Sequence, residues 1–233
     1  MLLQDLIDRN QSEWNQYQYH DFIKDLASSK LKLEAFKHYL IQDYIFLKNV
    51  GKLYALAIYK SKDIDDLTFF SLGLQNLLQE ELAHHIKYCS EQGISEDELK
   101  KAEEEISTIA YTRYLLDIAN SYSVNEILIS LAPCIVGYYG MAEKIGKDIS
   151  YNPRVEAYKN WIDIYKGKTY KEAVQEYTDF INEKIADIEL ESKEGERFLK
   201  IFRTAIKCEI GFFEQSYGKF HGQGFCLIRK IFG

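Results

Sequence analysis

The sequence predicts an all-α chain, a single domain folded as a bundle of many helices, and three observations carry that expectation. Only 2 prolines and 13 glycines punctuate 233 residues, too few for the tight turns that a sandwich, barrel or solenoid of short strands requires. Apolar residues recur three or four positions apart through almost every segment. With 46% apolar and 28% charged residues, the chain can close a sizeable core around those stripes.

The elements follow in order. Phe36, Leu40, Phe46 or Leu47, Val50, Tyr54 and Ile58 form one stripe of a long amphipathic helix over 33–59. A second long helix is expected from Ile64 to Cys89, with Phe69, Leu72, Leu77, Leu82 and Ile86 inward. Capping-box patterns at Ser95…Glu98, Ser123…Glu126 and Thr169…Glu172 mark further starts, since hydroxyl and carboxylate reciprocally satisfy free backbone donors. Helices are then expected near 107–121, 124–146, 153–165, 170–188 and 194–217. The acidic stretch Glu96–Glu105 reads as a solvated face. The last fifteen residues, KFHGQGFCLIRKIFG, switch to glycines, apolar residues and three cations. The chain therefore divides into a helical domain, 1–218, and a tail, 219–233.

Net charge −7 and a pI near 5.4 argue against nucleic acid or an anionic membrane as partner and leave a small molecule. No uncharged apolar run reaches 18 residues, and MLLQDLIDRNQ carries charges where a secretory signal places its apolar core. A cytoplasmic location is the expectation. The cysteines at 89, 134, 208 and 226 contain no CxxC and are expected as reduced thiols.

In a helical bundle, binding sites sit between facing helices, so inward polar residues are the candidates. Pro133 interrupts an apolar run and should kink its helix. Cys134 follows it, with Tyr138 one turn on and on the same face. The thiol is either a small core residue or a nucleophile that needs a base nearby. Glu209 sits on the apolar stripe of Phe198, Ile201, Phe202, Ala205, Phe212 and Phe213; it is either a surface residue drawn into register or a buried acid able to carry a proton near neutral pH. Asp43 lies on the stripe between Leu40 and Leu47 and needs donors. Tyr111, Tyr114, Trp161 and Tyr165 belong to an aromatic share of 14%; most should be core, but a few around a carboxylate would clamp a flat heteroaromatic ring. Glu81 and His85 form E-x-x-x-H on one helix face, either a carboxylate orienting a histidine or two ligands of a di-iron site whose further histidine is missing near Glu209.

Six segments in order resemble the TenA family, the aminopyrimidine aminohydrolases or thiaminase II enzymes. They are F-x-x-Y-L-x-Q-D-Y at Phe36–Tyr44, E-E-x-x-x-H at Glu80–His85, A-Y-T-x-Y-L at Ala110–Leu115, P-C-x-x-x-Y at Pro133–Tyr138, W-I-x-x-Y at Trp161–Tyr165 and E-x-x-F-F at Glu209–Phe213. The resemblance implies a heme-oxygenase-like helical fold, a homotetramer and hydrolysis of 5-aminomethyl or thiazolium-methyl pyrimidines to 4-amino-5-hydroxymethyl-2-methylpyrimidine for thiamin salvage. It implies no metal and no cofactor. By motif, Cys134 would be the nucleophile, Glu209 the proton-transfer group, Asp43 the anchor of the ring amine, and Tyr111, Tyr138 and Tyr165 the pocket wall. Phe46 stands where many members have tyrosine and removes one hydrogen bond to substrate, and His20-Asp21-Phe22 replaces the family's His-Pro-Phe. Two alternatives are a di-iron oxygenase of the same fold, using Glu81, His85 and Glu209, and a helical regulatory protein that binds a pyrimidine without turning it over.

Overall fold

A computed structural model describes residues 1–147 and 154–221. They form twelve α-helices, one π-helical segment and no strand: α1 (Leu3–Arg9), α2 (Gln11–Gln18), α3 (Asp21–Ala27), α4 (Leu33–Lys60), α5 (Ile64–Asn76), the π segment (Leu77–Glu81), α6 (Leu82–Glu91), α7 (Glu96–Lys101), α8 (Ile106–Ser121), α9 (Val124–Lys147), α10 (Glu156–Lys166), α11 (Lys168–Ile185) and α12 (Lys193–His221). The long α4, α8, α9 and α12 pack on one another; α5 and α6 cover α4, and α10 and α11 cover α9. Three short N-terminal helices close the bundle by burying Trp14, Tyr17 and Phe22. His20 caps α3, its Nδ1 accepting from Phe22 N–H at 3.1 Å, so the His-Asp-Phe variant still begins a helix.

Several expectations are corrected. Residues 64–91 are not one helix: the π segment divides them, and its wider i→i+5 turn changes which face looks inward. Leu77 is buried, whereas Leu72 is 50% exposed, and Phe69, Leu82 and Ile86 are half-buried. Ser95 and Ser123 do pair with Glu98 and Glu126, but Thr169 caps nothing. The extended Gly167 starts α11, and its carbonyl accepts from Lys171 N–H at 3.0 Å. Two further bounds shift: α11 ends at Ile185, and α10 begins at Glu156. α12 runs through 219–221, past the expected end of the domain; residues 222–233 of the expected tail lie outside the described residues, as does the expected helix start at 153. The acidic stretch is only partly a solvated face. Glu105 bonds His38 Nε2 at 2.9 Å and pairs with Lys219, while Glu104 pairs with Arg113, so its end ties α4, α8 and α12 together.

α9 passes through the middle of the bundle and is continuous across Pro133. It is long and apolar enough to cross a membrane by length and composition, and 61% of its most apolar stretch is buried inside the bundle. Pro133 supplies no N–H, so the turn before it lacks one backbone bond. Neighbouring helices donate to carbonyls around that position: Tyr17 Oη to Pro133 O at 3.2 Å, Gln18 Nε2 to Gly137 O at 3.0 Å, Tyr170 Oη to Ile135 O at 2.9 Å, and Tyr177 Oη to Leu128 O. Tyr17 can lie so close only because residue 137 is glycine; a Cβ there would stand 2.3 Å from Tyr17 Cε1.

Gly137→Ala should therefore lower unfolding stability by roughly 1–3 kcal/mol, because the ring must move and its bond to Pro133 is lost. Gly146→Ala, where the new methyl would meet only Lys166 Cδ at 3.8 Å, should be neutral or stabilising by up to about 1 kcal/mol. Urea unfolding of both variants decides; equal midpoints would show that the approach of Tyr17 to α9 is not tight.

Candidate active site

A cavity of about 250 Å³ opens between α4, α5, the π segment, α9, α10 and α11, within the size of a small heteroaromatic molecule. It is lined by Cys134, Tyr138, Asp43, Phe46 and Tyr165, together with Tyr54, Glu81, Tyr170, Tyr177 and, on its solvent-exposed side, Glu176. Cys134 is presented by the turn that follows Pro133, and its thiol donates to Leu131 O at 3.0 Å. Burial, followed by the charges of Glu209, Glu81 and Asp43, holds this thiol well above its ordinary pKa. The resting group is a thiol, and addition to a substrate requires that its proton be taken up as the bond forms.

Asp43, only 8% exposed, is pushed up to about 7 by burial. Opposite it, His85 Nδ1 lies 3.6 Å from Oδ2, long for a hydrogen bond. His85 Nε2 lies 2.9 Å from Leu40 O, and since a carbonyl only accepts, this nitrogen carries the hydrogen. Burial lowers the pKa of His85, so Nδ1 remains a lone pair facing a carboxyl that is half-protonated near neutrality. His85 thus serves Asp43 and the α4 backbone rather than Glu81.

The aromatic wall is continuous. Tyr138 and Tyr165 have ring centroids 4.9 Å apart, Trp161 lies 4.7 Å from Tyr165, and Tyr39 Oη donates to Tyr138 Oη at 3.2 Å. Phe46 lines the cavity, and Tyr111 packs behind it at 4.8 Å between ring centroids. Tyr111, expected in the pocket wall, is not among the residues that line the cavity; it packs against Phe46, which is. Its hydroxyl donates to Glu209 Oε1 at 2.8 Å. Glu209 is 1% exposed, is absent from the cavity lining, and is pushed by burial up to about 8 against the opposing effect of the Tyr111 bond. Its carboxyl sits one layer behind the wall, close enough to be the leading charge acting on Cys134 but with no hydrogen bond to it.

Of the residues singled out in the sequence, Asp43, Phe46, Glu81, Cys134, Tyr138 and Tyr165 meet at the cavity, Tyr111 and Glu209 form a pair outside its lining, and Tyr114, also outside it, donates to Ile201 O at 3.4 Å. Sequence reasoning missed Tyr54, Tyr170, Glu176 and Tyr177. The α11 residues share a signal that was readable: Tyr170, Ala173 and Tyr177 recur at helical spacing on one face. Cys89, Cys134 and Cys208 are free thiols; Cys226 lies outside the described residues. Among the described residues no three His, Cys, Asp or Glu side chains converge as a metal-ligand set, so the ligands required by the di-iron alternative are not brought together.

Residues 7–219 match the family model TENA/THI-4/PQQC. The aminopyrimidine aminohydrolase of Halalkalibacterium halodurans is 28% identical over 92% of this chain and 94% of its own length. The crystal structure of a TenA family transcription regulator from a Silicibacter species superposes with a TM-score of 0.85 at 28% identity, over 92% of this chain and 95% of that one. A Shewanella denitrificans domain described as having a heme oxygenase-like fold superposes at 0.74 with 14% identity, covering 96% of each chain, which speaks to fold alone. Matched along nearly its whole length, this helical chain belongs to the TENA/THI-4/PQQC family and has the heme oxygenase-like fold.

Proposed function

We propose that the chain hydrolyses 4-amino-5-aminomethyl-2-methylpyrimidine, and thiamin, to 4-amino-5-hydroxymethyl-2-methylpyrimidine in thiamin salvage. The observation that carries this reading is the placement of one thiol, Cys134, and one carboxyl titrating near neutrality, Asp43, in the same aromatic-walled cavity. The matched aminopyrimidine aminohydrolase supports it at family level.

In this reading Tyr138, Tyr165 and Phe46 hold the flat ring, and Asp43 accepts from its exocyclic amine. Cys134 adds to the ring carbon next to the one bearing the methylene. A C–S bond forms as the S–H proton is relayed to the ring nitrogen that receives the displaced electron pair. That density then expels ammonia or the thiazole and leaves an exocyclic methylene. Water adds to the methylene, and departure of the thiolate restores the aromatic ring. Glu209 is the proton reservoir: its pKa lies near 8, so it can take and return a proton at neutral pH. Because Glu209 stands behind the wall, the reading requires Tyr111 or a small shift of Phe46 to complete the path to the ring. The proposal includes a cytoplasmic homotetramer, as the family resemblance implies; light scattering on the purified protein tests the oligomeric state.

Incubation with the aminomethylpyrimidine should release ammonia and the hydroxymethylpyrimidine in equal amounts. Binding without ammonia release would favour a ligand-binding protein instead. Cys134→Ser should abolish turnover and leave affinity for the hydroxymethyl product nearly unchanged; a rate within about tenfold of the parent, about 1.4 kcal/mol in barrier, would remove the nucleophile role. Glu209→Gln should lower the maximal rate by roughly two to four orders of magnitude with a modest change in affinity.

The raised pKa of Glu209 also has a stability signature. Above its unfolded pKa of about 4.3, the unfolded chain has lost this proton while the folded chain keeps it up to about 8. The group's contribution is full below the unfolded value and is lost as pH rises through the folded one, at up to roughly 1.4 kcal/mol per pH unit. Thermal unfolding at pH 5 and pH 8 should show Glu209→Gln gaining on the parent as pH rises; a constant difference would mean that Glu209 is ionised in the folded protein.

A further inference from the structure

The solvent-exposed side of the cavity has a charge character that neither the proposed chemistry nor the sequence motifs use. Among the described lining residues there is no Lys, Arg or His, and the ionisable groups other than thiol and phenols are three carboxyls: the buried Asp43, and Glu81 and Glu176, which are both exposed to solvent. Glu81 ends the π segment, whose altered turn puts both Leu77 and Glu81 on the cavity wall. Its carboxyl is reached by solvent from the cavity yet closely surrounded by protein, and it makes no hydrogen bond or ion pair among the described residues. Burial, and then the neighbouring Asp43, push it up to about 7, the state of a carboxyl that lacks a cationic partner. Glu176 lies on α11 and borders a shallow groove that also carries Glu172, Asp179 and Glu183. Lys168 pairs with Glu172 at 3.6 Å, and Lys184 is held by Asp66 at 2.6 Å; Glu176 has no such partner among the described residues.

We infer that Glu81 and Glu176 form the leaving-group arm of the site, a carboxylate lane that selects pyrimidines whose 5-methylene substituent is a cation, an ammonium or a thiazolium, and rejects those bearing a phosphate. The inference rests on the proposed hydrolysis and names which part of the substrate each set of lining residues reads. The aromatic wall takes the neutral ring. The exposed carboxyls take the positive group that departs, and a cation brought beside Glu81 draws it into its ionised form. A phosphate on the departing group would meet Glu81 and Glu176 with no Lys, Arg or His among the described lining residues to offset them, which opposes binding in a site partly screened from water.

Initial-rate kinetics on the full chain tests this with the aminomethylpyrimidine, thiamin and thiamin monophosphate, alongside calorimetric binding of the neutral hydroxymethylpyrimidine. The parent should use thiamin monophosphate at least about thirtyfold less efficiently than thiamin. Glu81→Gln and Glu176→Gln should raise KM for both cationic substrates by roughly three- to thirtyfold while leaving affinity for the neutral product within about twofold, a split that general damage to the pocket would not produce. Glu176→Lys should narrow the gap between thiamin and its phosphate. Variants that keep the parent's KM values and discrimination would overturn the inference, as would equal losses toward neutral and cationic ligands. Failure of the parent to release ammonia or thiazole would instead reject the hydrolysis itself, a result separable from either.

Discussion

The backbone of α9 around Pro133 is the constraint on which the site depends. A helix interior normally satisfies its own carbonyls; here a proline removes one donor, and Tyr17, Gln18, Tyr170 and Tyr177 reach in from α2 and α11 to carbonyls on either side of it. None of these is the Ile129 carbonyl that the proline leaves without its i+4 donor; the four bonds are additional ones, and they fix how α2 and α11 sit against α9. The same bonds fix Cys134, which follows the proline, and two of the donors, Tyr170 and Tyr177, also line the cavity. The tyrosines that hold the helix are thus also walls of the space into which its thiol looks.

Burial dominates the electrostatics of that space. Asp43, Glu81 and Glu209 all shift upward with desolvation as the leading cause, and no cationic side chain lies among the described residues that line the cavity. Most ion pairs in the structure are outside, joining side chains that remain well hydrated, and such pairs contribute little to stability. The interior carboxyls instead lower the margin of stability at neutral pH, and the packed aromatic core offsets that cost. What they gain is a set of groups that exchange protons close to pH 7, the property that acid–base chemistry requires.

The individual side chains were legible to the extent that their environment is set by their own helix. Asp43 and Glu209 could be identified as inward carboxylates because helical periodicity assigns each a face, and both are buried. Cys134 and Tyr138 share a cavity as their spacing of four requires. The pairing of His85 was not legible: i,i+4 spacing offers it Glu81, but the ring turns across to Asp43 and Leu40 on another helix. Nor was the depth of Glu209 legible, since a helical stripe says that a residue faces inward but not how many layers of side chain stand between it and a cavity. Here Phe46, from a helix far away in sequence, lines the cavity and Glu209 does not.

By itself, then, the sequence determined the helical class, the approximate extent of the long helices and the inward face of each, because these follow from local periodicity and from the scarcity of proline and glycine. Tertiary structure alone decided where the 64–91 segment breaks into a π turn, which histidine–carboxylate pair forms, and that Glu81 and Glu176 rather than cations border the cavity. Those outcomes depend on which faces of distant helices meet. That choice is made by close packing and by the satisfaction of buried backbone groups, as at Gly137 against Tyr17, and neither is a property of any one segment.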